Sequence, residues 1–115
     1  MYEYNATVER VVDGDTLEVL IDLGLDVGIR TILRLNRINA YETKLGVNTT
    51  AEKKAKGIAG RDHLKAMFDA NSHIVVLTIK DKTEKYGRYL AEVTHNGVNI
   101  NDQMVSLGYA IYQGY

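Results

Sequence analysis

Asp13-Gly14 stands between two β-rich runs, and no other junction constrains the fold of this chain as strongly. Tyr4 to Val12 is rich in β-formers (Tyr4, Thr7, Val8, Val11, Val12), and Thr16-Leu17-Glu18-Val19-Leu20-Ile21 resumes that character after the turn. Asp-Gly between apolar runs favours a tight hairpin, because both residues tolerate left-handed backbone. After a looser connection over Asp22 to Gly28, Ile29 to Ile38 is expected as a third strand, which makes the first part of the chain a meander.

The next segment, Lys44 to Asn48, is polar, and Thr49-Thr50-Ala51-Glu52 matches the capping box that starts a helix. The helix is expected from about Thr50 to Phe68, with Ala55, Ile58, Ala59, Leu64, Met67 and Phe68 as its apolar positions. Lys53, Lys54, Lys56, Arg61 and Lys65 make the rest of it strongly basic. His73 to Ile79 is a β-branched run of strand length, and Tyr86 to Val93 a fifth strand beyond a charged loop. Asn96-Gly97 is a second hairpin-type turn, and Asn101 has the surroundings of a helix N-cap for a short helix, Asp102 to Leu107, closed by Gly108. A three-strand meander, a helix and two further strands is the order of an α+β, mainly β protein of OB type: a five-stranded barrel with two to three helices.

With 115 residues, 45% hydrophobic and 25% charged, residues 1–115 have the profile of one ordinary domain. Such a chain buries a core without staples, and the absence of Cys excludes disulfides and thiolate metal sites, so any metal must be held by oxygen or His. The formal charge of −1 gives no global attraction for nucleic acid, which would have to be met by a local basic face. No stretch approaches membrane-spanning length and the N-terminus has no basic segment leading into an apolar run, so the chain reads as a soluble mature domain, secreted or cytoplasmic.

The chemistry concentrates in Arg34-Leu35-Asn36-Arg37-Ile38-Asn39-Ala40-Tyr41-Glu42, which begins as a strand and ends as a loop. Arg34 on the strand, with Asn39 and Glu42 just beyond it, gathers a guanidinium, an amide oxygen and a carboxylate in one small volume, the parts of a metal-assisted phosphate site. His63, His73 and His95 lie outside this stretch, each isolated, and read as structural or surface residues.

Three blocks in order, Val12-Asp13-Gly14-Asp15-Thr16, Arg34 to Thr43, and Lys85-Tyr86-Gly87-Arg88 with Leu90-Ala91, resemble the staphylococcal-type nuclease (thermonuclease) family. A weaker fourth block, Asn101 to Ala110, is similar to the family's closing helix. The resemblance implies a calcium-dependent phosphodiesterase that cuts DNA and RNA with little sequence preference, single strands preferred, acting as a monomer away from membranes. It implies Asp15, Asn39 and the backbone carbonyl of Ala40 as Ca2+ ligands, Glu42 as the group that orients or deprotonates the attacking water, and Arg34 and Arg88 as the phosphate clamp. Lys85 and Tyr86 would meet a terminal phosphate, and Tyr112 and Tyr115 are offered as base-stacking residues.

The physical logic of that set is independent of the family. Attack on a phosphodiester builds negative charge on oxygen, and two Arg forks plus a divalent cation place fixed positive charge where it develops. A carboxylate near the metal-held water accepts its proton, which singles out Glu42. The family's reference member has an acid where this chain has Asn39, a hydroxyl residue at Ala40 and a Pro at Tyr41, so weaker calcium binding is expected. Two other classes stay open: a non-catalytic OB-type module that binds single-stranded nucleic acid through Lys, Arg and its eight Tyr, and a protein-interaction domain that keeps only the barrel. The presence of Asp15, Arg34, Glu42 and Arg88 together argues against binding alone.

Overall fold

A computed structural model of the chain describes residues 2–41, 50–68, 72–78 and 88–113. In order it contains β1 (Tyr2–Asp13), β2 (Thr16–Gly24), β3 (Val27–Leu35), β4 (Ile38–Ala40), α1 (Ala51–Met67), β5 (Ser72–Thr78), β6 (Tyr89–His95), β7 (Val98–Asn99), α2 (Ile100–Ser106) and β8 (Ala110–Tyr112). Antiparallel pairing runs β3-β2-β1-β5-β6-β7, and a parallel β3–β6 pairing closes five of these strands, β1, β2, β3, β6 and β5, into a ring. That is the mainly β, OB-type barrel expected from the element order, with two helices among the described residues.

Closure depends on β1, the longest strand at 12 residues. Its register against β2 shifts between Val8 and Arg10 and again between Val11 and Asp13, and such bulges coil a strand enough for both edges to be used. One face of each strand then points inward. Val8, Leu17, Val19, Leu33, Leu35, Val76 and Val93 are essentially out of water, joined by Leu64 and Phe68 from the α1 segment and by Ile100 and Met104 from α2.

Several local expectations are corrected. The first turn is Gly14-Asp15, with Asp13 paired to Thr16, so Asp15 stands in the turn itself. The connection expected over Asp22 to Gly28 is mostly strand, turning at Leu25 and Asp26, both left-handed as a two-residue hairpin turn requires. The third strand does not run to Ile38: it stops at Leu35, turns at Asn36-Arg37 with Arg37 at φ +66°, and restarts as β4, which pairs with β8. Asn39 and Ala40, expected in a loop, are therefore held by a ladder.

The helix caps also shift. Thr50, one residue later than the capping-box match, accepts from Lys53 N, and Asn99 rather than Asn101 caps α2 by accepting from Asp102 N. Asn101 is instead fully buried: its Oδ1 accepts from Val93 N, and its Nδ2 donates to Asn36 O and Ala91 O. In α1 the buried face is Gly57, Gly60 and Leu64, while Ala55 and Ala59 are exposed. The reason is close approach: a Cβ on Gly60 would lie 2.9 Å from Tyr109 Cβ and 3.2 Å from Met104 Cε.

Candidate functional site

Barrel closure brings Asp15, Arg34 and Arg88 to one place. Asp15 sits in the turn between β1 and β2, and Thr16 pairs with Arg34 across β2 and β3. Arg34 in turn pairs with Leu90 across the parallel β3–β6 contact, so Arg88, just before β6, arrives beside it although 54 positions separate the two in sequence. The backbone is tied here as well, since Leu35 N donates to Asp15 O at 2.8 Å.

Arg34 is 4% exposed. Its Nη2 lies 3.1 Å from Asp15 Oδ2 and donates to Asn39 Oδ1 at 3.2 Å, while Nη1 donates to Leu35 O at 2.8 Å. Asp15 is almost as buried; its Oδ2 also accepts from Ala40 N at 2.9 Å, and its Oδ1 accepts from Thr16 Oγ1 at 2.9 Å. The half-buried Arg88 reaches the group through Nη1, 3.5 Å from Thr16 Oγ1. Arg34 thus meets the Asp15 carboxylate directly and Arg88 reaches the same group through the Thr16 hydroxyl, which gathers two guanidinium forks of the kind that suits an anion.

Ala40 can approach because residue 14 is Gly: a Cβ there would lie 3.1 Å from Ala40 Cβ. Thr16 is the participant that sequence reading left without a role. Its hydroxyl links Asp15 to Arg88, and its position next to Asp15 in the Asp-Gly-Asp-Thr run was the available signal.

Of the remaining residues singled out, Glu42, Lys85, Tyr86 and Tyr115 lie outside the described residues. Tyr112 belongs to a different group. Its hydroxyl donates to Asp102 Oδ1 at 3.0 Å, which pushes the phenol above its ordinary value, and its ring lies 5.9 Å from the Arg37 guanidinium carbon. Tyr112 is 58% exposed, as a residue that stacks on a base has to be. Arg37 bonds Glu92 and Asp102, and these contacts, Glu92 first, hold its guanidinium protonated even more firmly than usual. The histidines bond elsewhere: His63 Nε2 meets Gln103 Oε1, and His95 Nδ1 meets His73 O.

A hard divalent cation fits the chemistry of the donors. Asp15 and Asn39 offer a carboxylate and an amide oxygen, held close through their common partner Arg34. Among the described residues no three His, Asp or Glu side chains cluster, so a cation would need backbone oxygen, substrate or Glu42 to complete its shell.

The family model for staphylococcal nuclease homologues matches residues 32–115, the part of the chain that carries Arg34, Asn39, Ala40 and Arg88. The chain belongs to the staphylococcal nuclease family. Among curated proteins it is 34% identical over 111 residues to Endonuclease YhcR of Bacillus subtilis, covering 94% of this chain and 9% of that protein. It is 31% identical over 104 residues to an uncharacterized protein of Bacillus anthracis, covering 90% of this chain and 45% of that one. The chain thus spans less than half the length of each of these relatives. Asp15 lies outside the span matched by the staphylococcal nuclease model, and the pairing of β2 with β3 is what delivers it to the site.

Proposed function

We propose that this domain is a calcium-dependent phosphodiesterase that hydrolyses DNA and RNA with little sequence preference, acting on single strands as a monomer. The observation that carries the reading is the convergence of Arg34 and Arg88 on Asp15 and Thr16 at one end of the barrel. A relative bearing the name endonuclease supports it.

Asp15, Asn39 and the Ala40 carbonyl would hold Ca2+, and Glu42 follows Ala40 by two positions in the sequence. Bound there, the cation supplies Lewis-acid stabilisation of a phosphoryl oxygen and a more acidic water. Arg34 and Arg88 hold the non-bridging oxygens of the scissile phosphate and stabilise the charge that grows on them during attack. Glu42 takes the proton of the attacking water as its oxygen bonds to phosphorus. The P–O ester bond then breaks, and the departing oxygen takes a proton from solvent. Arg34 is fixed by Asn39, Asp15 and the Leu35 carbonyl, so little reorganisation is left for the moment of reaction.

The substrate path is read from charge and rings. Lys56 Nζ lies 5.4 Å from the centre of the Tyr41 ring, which sets the basic α1 beside the residue preceding Glu42. Lys53, three positions before Lys56, lies on that side of α1, while Lys54, Arg61 and Lys65 form a second basic row on another side of the helix. Both suit a phosphate backbone, while Lys85 and Tyr86 would take a terminal phosphate and Tyr112 and Tyr115 would stack on bases.

The test is a calcium titration of cleavage of single-stranded DNA, with a chelator control, on the parent and on Arg88→Ala. Calcium-dependent cleavage that falls about a hundredfold or more in the variant supports the reading. Tight DNA binding without cleavage at any calcium concentration overturns it in favour of a non-catalytic module.

A further inference from the structure

We propose that Arg37 is a positioning residue for the Asp15 site, acting by locking β4 in place; its kinetic consequence rests on the phosphodiesterase reading, while its structural consequence does not. The strand β4 has three residues and pairs with β8, which also has three. So short a ribbon does not hold its own register in water and needs anchoring at its ends. That register matters, because β4 delivers two of the bonds that define the site: Ala40 N to Asp15 Oδ2 at 2.9 Å, and Asn39 Oδ1 as acceptor from Arg34 Nη2 at 3.2 Å. At the far end Tyr41 N donates to Tyr109 O at 3.3 Å.

At the near end stands Arg37. Its backbone is left-handed at φ +66°, a conformation that a long side chain adopts only at a cost and that Gly adopts freely. The side chain therefore has to be justified by what it holds. Its Nε donates to Glu92 Oε2 at 3.0 Å and its Nη2 to Glu92 Oε1, a two-pronged bond to β6. The same Nη2 lies 3.0 Å from Asp102 Oδ1 on α2, and that oxygen also accepts from the Tyr112 hydroxyl on β8. Asn99 Nδ2 steadies Glu92 at 3.3 Å, and the Arg37 carbonyl accepts from Gln113 N at 2.7 Å. One residue thus ties the start of β4 to β6, α2 and β8. Because its side chain is 44% exposed, this lock should weaken as salt rises.

Amide hydrogen exchange followed residue by residue by NMR tests this without metal or substrate, on the parent, Arg37→Gly, Arg37→Lys and Glu92→Gln. If the lock positions β4, Arg37→Gly raises exchange at Ala40 about tenfold or more despite relieving the backbone, while Val19 in β2 keeps its protection. Arg37→Lys, with a cation but no fork, should fall between the two, and the near-isosteric Glu92→Gln should shift Ala40 in the same direction. In cleavage assays kcat should drop about tenfold with the KM for DNA unchanged. The proposal is overturned if Arg37→Gly leaves Ala40 at the parental rate, if Val19 accelerates as much as Ala40, or if only KM rises, which would make Arg37 a phosphate contact. A parent that cuts no DNA while Ala40 responds as described sinks the phosphodiesterase reading and upholds the lock.

Discussion

Arg34 Nη2 lies 3.1 Å from Asp15 Oδ2, with the Arg34 side chain 5% exposed and the Asp15 side chain 12% exposed. A guanidinium this deep does more than wait for substrate. A side chain that served only developing charge could be removed with the fold nearly as stable. The burial changes that expectation: removing the cation leaves a buried carboxylate without its partner, which costs about 3 kcal/mol. The variant should therefore lose stability in urea unfolding and also lose about a hundredfold or more in cleavage rate. Parental stability would mean that Asp15 is solvated in solution, and parental cleavage would sink the clamp assignment.

Asn39→Asp places a second carboxylate beside Asp15, and we expect it to bind calcium more tightly and reach half-maximal activity with less of it. Without metal, repulsion from Asp15 is offset by Arg34, whose Nη2 already donates to Asn39 Oδ1. Metal-free stability should then change by less than about 1 kcal/mol, and calcium should stabilise the variant more than the parent. Calorimetric titration with and without a substrate-like nucleotide measures the affinity. Equal affinities under both conditions would place Asn39 outside the first shell of the metal.

Glu42→Gln keeps the shape of the side chain and one carbonyl-type oxygen but removes the proton acceptor. Turnover should fall while calcium affinity changes little. Should calcium binding collapse instead, Glu42 is a direct ligand and the base lies elsewhere.

The phenol of Tyr112 should titrate above its ordinary value of 10.0, because its hydroxyl donates to Asp102. A raised folded value means that the associated stability is fully present below about pH 10 and is lost as pH rises through the folded value. Labelled-tyrosine NMR of the parent and of Asp102→Asn checks this: the resonance of Tyr112 should return toward the ordinary value in the variant. An unshifted Tyr112 in the parent would remove β8 from the Arg37 group.

The meander, the basic helix and the mainly β class were legible because each rests on local patterns: Asp13-Gly14 between β-rich runs, and Lys spaced around a helix. Asp15, Arg34, Asn39, Ala40 and Arg88 were legible as a set through the family's spaced blocks, and all five fall within one described bond network. Asn101 was misread as a cap for the same local reason. Its neighbours look like a helix start, whereas its partners, Asn36, Ala91 and Val93, are contributed by other segments. In the α1 segment the buried Leu64 and Phe68 were legible, whereas Gly57 and Gly60 were missed because they carry no hydrophobic signal and are buried for lack of a side chain.

What the sequence determined by itself is whatever short-range backbone preference and side-chain chemistry decide: strands, turns, a basic helix, the exclusion of thiolate ligands in a chain without Cys, and the residue types on hand for the proposed site. What only the tertiary structure decided is which groups share a bond. The parallel β3–β6 pairing brings Arg88 to Arg34, the Asn36-Arg37 turn makes Asn39 and Ala40 a strand rather than a loop, and burial turns Arg34 and Asp15 into mutual supports. None of these is encoded in a local window, because each is stabilised by contacts between segments that only barrel closure brings together.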